Sequence, residues 1–99
     1  MIPPNGSFKI ISTGDLSAKI LVPKGTTHIM LTANHTGGSD LGHAHLDIYE
    51  EIADTVPVLA DIALPTNVFI ALSNLVAGTT AIKGADSDAE SVTFARIMG

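Results

Sequence analysis

The stretch His43-Ala44-His45-Leu46-Asp47-Ile48-Tyr49-Glu50-Glu51-Ile52-Ala53-Asp54 decides between an all-β chain and a mixed one. As a strand it sends Ala44, Leu46 and Ile48 to one face and His43, His45, Asp47 and Tyr49 to the other. As a helix it lines up Leu46, Tyr49, Ile52 and Val56 in a stripe that Pro57 would stop. Alternation is complete through Tyr49, so this reading takes His43–Tyr49 as a strand and leaves a helical turn for Glu50–Asp54.

The neighbouring segments have the same period of two. His28–Asn34 sends Ile29, Leu31 and Ala33 inward and leaves His28, Met30 and Thr32 outside. Val56–Leu64 alternates through Val56, Val58, Ala60, Ile62 and Leu64, and the next strand repeats this through Val68, Ile70 and Leu72. Phe8–Thr13, Ser17–Val22, Gly78–Lys83 and Ser91–Ile97 complete the set. Gly14-Asp15 reads as a hairpin dipeptide, Pro23-Lys24-Gly25 as the next turn, and Thr36–Asp40 as a loop. Pro57 and Pro65 suit strand ends or an edge strand. Short strands punctuated every 8–12 residues or so are the rhythm of a sandwich or barrel. The expectation is an all-β fold, a two-sheet β-sandwich of jelly-roll or related topology with seven to nine short strands. Ninety-nine residues supply one core, hence a single domain over residues 1–99 with a short arm at 1–7.

Composition narrows the function. From Gly25 to Ile82 there is no lysine or arginine, although all four histidines and six of the ten carboxylates lie there. Charged residues make up 15% of the chain and hydrophobic ones 45%, where a typical domain has about a quarter charged. So few polar groups cannot cover the surface, and burial against other protein is expected, with Leu59, Phe69 and Ile97 left over once the inward faces are filled. A net charge of −5 argues against nucleic acid. Val56–Ala77 is too interrupted by Pro57, Asp61, Pro65, Asn67 and Asn74 to span a membrane. Met1–Gly6 has neither a basic nor an apolar signal region, and no cysteine is present for a disulfide or thiolate site. No Gly-x-Ser-x-Gly elbow or phosphate-binding Gly-Lys-[Ser/Thr] string occurs. Glu50 and Glu51 are adjacent and would point to opposite faces of a strand. No catalytic residue or cofactor is named, and the chain is not expected to be an enzyme.

Two histidines at i and i+2 on a strand present both imidazoles on one face, as a metal site requires. The series Gly37, His43, His45, Glu50 resembles the first motif of the cupin family, small β-barrels that often bind a divalent metal. That resemblance implies His43, His45 and Glu50 as metal ligands, with Asp47 a substitute from the same face. Pro57 stands where that family has glycine, no second motif follows, and no histidine comes after His45. Read from the residues alone, His43, His45 and Asp47 are polar interface groups. Asp86, Asp88 and Glu90 alternate as calcium ligands often do but lack the turn glycine of a calcium loop, so they read as a solvated acidic loop.

The proline-containing arm Met1–Ser7, the tight strand rhythm and the final strand Ser91–Ile97 after an acidic loop are similar in style to small all-β accessory proteins of tailed bacteriophages. Capsid decoration and cement proteins are examples. The resemblance implies a structural subunit of the virion, made in the host cytoplasm. Its partners would be other copies of itself in a homo-oligomer and the capsid shell.

Overall fold

The computed structural model describes residues 7–33, 43–85 and 89–98, with backbone alone at 89 and 90. Eight strands run through these residues: β1 (Phe8–Asp15), β2 (Ile20–Leu21), β3 (His28–Ala33), β4 (His43–Tyr49), β5 (Leu59–Pro65), β6 (Phe69–Ala71), β7 (Ala81–Gly84) and β8 (Ala89–Ile97). A single 3₁₀ turn, Leu72–Asn74, lies among them. All pairings are antiparallel, and their order is nested: β1 with β8, β2 with β7, β3 with β6, β4 with β5. Two more pairings, β3 with β8 and β4 with β7, join these into sheets ordered β1-β8-β3-β6 and β2-β7-β4-β5. One long folded hairpin rolled into two four-stranded sheets is the jelly roll. The molecule is 20 Å thick in its short dimension, as two sheets ~10 Å apart with outward side chains require.

The core lies between the sheets. Ile29 and Leu31 of β3 meet Val92 and Phe94 of β8 from one side. Ala44, Leu46 and Ile48 of β4, with Ile82 of β7, close it from the other. The strand reading of His43–Tyr49 therefore holds, with alternating burial through Ile48, while Tyr49 at the end of the strand is buried as well. Glu50–Asp54 is a turn closed by Asp54 N–H donating to the Glu51 carbonyl at 3.1 Å, with no helix. Pro23-Lys24-Gly25 is a turn as expected: Gly25 has φ +91° and Thr26 N–H donates to the Pro23 carbonyl at 3.2 Å. A positive φ at that position is why glycine stands there.

Three expectations need correction. Gly14-Asp15 is no hairpin turn, because β1 continues through Asp15 and β2 belongs to the other sheet. The chain turns just afterwards, where Asp15 Oδ1 accepts from Ser17 N–H at 2.7 Å and Leu16 drops into the core at 1% exposure. That carboxylate–amide bond, a common way for Asp to stabilise a turn, holds the Asp15 carboxyl below its ordinary pKa. Ser17–Val22 shrinks accordingly to the two-residue β2. The alternation from Val56 to Leu64 also fails in its first half: Val56 and Val58 are 75% and 41% exposed. Leu46 pairs with Ile62 but Ile48 with Leu59, so β5 carries an extra residue. A bulge of this kind reverses the faces on one side of it. The arm at 1–6, the loop at 36–40 and Asp86–Asp88 lie outside the described residues.

Candidate functional site

The two outward faces of the sandwich differ sharply in chemistry. Because Ala44, Leu46 and Ile48 point inward, β4 turns His43, His45 and Asp47 to the outward face, and Tyr49 follows on that side but is covered. Lys83 of β7 lies opposite Asp47 on that same face. Asp47 Oδ1 accepts from the backbone N–H of Asp61 at 2.9 Å. The Lys19 ammonium sits 4.3 Å from the centre of the Tyr49 ring. It also donates to the carbonyls of Ile52, at 2.8 Å, and Asp54. One lysine thus ties the start of the β4–β5 connection down over Tyr49. Burial pushes the Tyr49 hydroxyl pKa up, and the nearby Asp47 charge adds to the effect.

His43, His45 and Asp47 share a face, as the alternation requires. Glu50 does not join them. It follows the last residue of β4, ~16 Å along the strand direction from His45 at ~3.3 Å per residue, and its carbonyl accepts the Thr80 hydroxyl. Among the described residues no three His, Cys, Asp or Glu side chains gather closely enough to hold a metal ion. The Glu90 side chain lies outside the description, as Asp86–Asp88 do.

The outward face of the β1-β8-β3-β6 sheet is built differently. Ile29 opposes Phe94 and Leu31 opposes Val92 in the core, so the residues between them face out. Across the sheet they form cross-strand rows. Phe8 and Ile97 make one. Ile10, Ala95, His28 and Ala71 make the next. Thr13, Thr93, Met30 and Phe69 follow, then Asp15, Ser91 and Thr32. Asp15, in the last row, is the one residue among these that is ionised at neutral pH.

Phe8 of β1 and Phe69 of β6, from the two edge strands, meet His28 of β3 in an aromatic cluster. Phe8 stacks on Phe69 with ring centroids 4.2 Å apart, and its ring meets His28 edge-on at 4.9 Å. These rings leave His28 only 8% exposed. His28 Nδ1 is 3.0 Å from Thr27 Oγ1, which in turn accepts from Ile97 N–H at 2.9 Å. Burial lowers the His28 pKa from its ordinary 6.5. Beside the cluster, at the β6 edge, lies an apolar groove of about 370 Å³ whose lining includes His28, Val68, Phe69 and Asn74. Toward the opposite edge Ile10 on β1 stands 52% exposed, and Ile97 on the neighbouring β8 36%.

Of this cluster the sequence reading singled out Phe69 and Ile97 as surplus apolar residues. It missed Phe8 and His28, although the strand parity that placed His28 outside was already the clue. Compared with known proteins, the chain matches no protein family, no curated protein and no solved structure.

Proposed function

We propose that this chain is a non-enzymatic structural subunit that packs into a larger protein assembly, specifically an accessory protein of the decoration or cement type on a bacteriophage particle. Its location would then be the virion. The observation that carries the reading is the outward face of the β1-β8-β3-β6 sheet, which bears the Phe8–Phe69–His28 cluster and, in its described cross-strand rows, one ionised residue, Asp15. Large apolar patches on soluble proteins mark interaction sites, and aromatic side chains are enriched in interface centres. Val56, Val58 and Leu21, exposed elsewhere, extend the apolar surface beyond one face. Jelly rolls are common among viral capsid domains, and fold alone fixes no function. The virion assignment therefore rests on the stylistic resemblance together with this surface. The test is co-purification: the protein should band with assembled particles in fixed stoichiometry. Its absence from them overturns the assignment.

A second reading, a small cupin-like metal- or ligand-binding barrel, draws on the shared jelly-roll architecture and on His43 and His45 lying on one strand face. Metal analysis of the purified protein separates the two. A zinc or nickel stoichiometry lost in the His43→Ala, His45→Ala double variant would favour the second.

A further inference from the structure

Three of the chain's five lysines and arginines line one cleft. Lys9 of β1, Arg96 of β8 and Lys24 of the turn before β3 surround about 320 Å³ of open space, with Ile10 and Ile11 in its wall. The rest of the chain holds two cations against ten carboxylates, and both lie elsewhere. Lys19 donates to the Ile52 and Asp54 carbonyls over Tyr49, and Lys83 lies opposite Asp47. Among the described residues no carboxylate lines the cleft.

This grouping works against the fold. Lys9 and Arg96 are direct partners across the β1–β8 ladder, and like charges so placed destabilise a sheet. Lys24 adds a third. Arg96 Nη2 donates to Met98 Sδ at 3.8 Å, a weak acceptor that neutralises no charge. A cleft lined by one sign concentrates its field and draws the opposite charge from solution. The ten carboxylates elsewhere repel an extended polyanion such as nucleic acid, so the anion that fits is short. Ile10, 52% exposed among the three cations, adds a second requirement, an apolar group beside the negative charge. Inorganic phosphate covers no isoleucine. An acidic stretch of polypeptide meets both demands, and apolar contact ringed by polar groups is ordinary interface anatomy.

We propose that this cleft docks an acidic polypeptide segment of a partner protein, whose carboxylates pair with Lys9, Lys24 and Arg96 while a neighbouring apolar side chain covers Ile10. The proposal rests on the reading that the chain packs against other protein, and it names the chemistry of that partner.

The test is an NMR titration of the 10.2 kDa chain with a capped pentapeptide, Glu-Glu-Leu-Glu-Glu, at low salt. Amide shifts should map to Lys9–Ile11, Lys24 and Arg96, fade as salt rises to about 0.5 M, and vanish with glutamine in place of glutamate. Glycine in place of the leucine should weaken binding. Lys9→Gln, Lys24→Gln and Arg96→Gln should each weaken it roughly three- to tenfold. Lys9→Gln should at the same time raise the urea midpoint, because it removes the charge facing Arg96; a fall in both would mark Lys9 as structural and overturn the proposal. Shifts centred on another surface overturn it, as does inorganic phosphate that binds the same residues as tightly as the peptide. Self-association of the chain that the three substitutions abolish also counts against it, since the occupant is then another copy. Particles that carry the triple variant as fully as the unmodified chain overturn the cleft and leave the structural-subunit reading standing. Peptide binding by a chain that never joins particles supports the cleft and removes the virion role.

Discussion

His28 is a buried imidazole among uncharged side chains of the described residues. Phe8 and Phe69 cover it, Ala95 and Ala71 flank it in the sheet, and Thr27 is its polar neighbour. Burial lowers its pKa from 6.5 in the folded state, so as pH falls the unfolded chain takes up the proton first. Its contribution to stability is present above about pH 6.5 and is lost as pH drops through the lower, folded value. Denaturation midpoints should fall between pH 7 and 5, and His28→Gln should remove that component; parallel profiles for both proteins would refute it. Gly14 makes a second case at this scale. A Cβ there would lie 2.7 Å from Ile20 Cδ1 and 3.7 Å from atoms of Phe94 and Val92. The Ile20 methyl can rotate away from an alanine, but Gly14→Val should cost about 1–3 kcal/mol in overpacking, measurable by urea titration. Sequence could not reveal this, because Gly-Asp signals a turn and a glycine also marks close packing. The deciding neighbours come from two other strands.

At the scale of elements, β3, β4 and β8 were legible because each has both neighbours paired and one face in the core, which enforces strict alternation. The edge strands β2 and β5 were not. In β5 three residue steps match two on β4, and Asp61 takes φ 57° with its N–H held by Asp47. Nothing local in Val56–Leu64 announces that bond, because its acceptor lies 14 residues away. Asp47→Ala removes the acceptor and should cost about 0.5–1.5 kcal/mol. Exchange at the Asp61 amide should speed up; an unchanged rate would show that the bond does not hold the bulge. The set His43, His45 and Glu50 comes from the cupin resemblance, while the residues alone read His43, His45 and Asp47 as interface groups. His43 and His45 share a face by parity, whereas bringing Glu50 back beside them would need a fold in the strand, and β4 runs straight through to Tyr49. The Lys19 tether is equally non-local. Lys19→Met keeps the apolar stem over Tyr49 and removes the donor to Ile52 and Asp54, so limited proteolysis between residues 50 and 58 should accelerate several-fold.

Across the whole molecule, the scarcity of charge was plain from composition, but the gathering of Phe8, His28 and Phe69 on one sheet face was not. It depends on strand order, which places β1 and β6 at opposite edges of one face. That same nesting governs folding. The first strand pairs with the last, β8 lies between β1 and β3, and it brings Val92 and Phe94 into the core. Few native contacts can therefore form until most of the chain is in place, and loop-closure entropy must be met before sheet pairing offsets it. Refolding from urea should be slow for 99 residues, in the milliseconds-to-seconds range of non-local all-β domains. Phe94→Ala should remove about 3–5 kcal/mol, a large share of the roughly 5–15 kcal/mol that holds a domain. If β8 is recruited in the rate-limiting step, that loss will slow refolding as well as hasten unfolding. A stopped-flow chevron with an unchanged folding limb would place β8 docking after the barrier. Refolding in microseconds would show that the nested pairing does not set the rate.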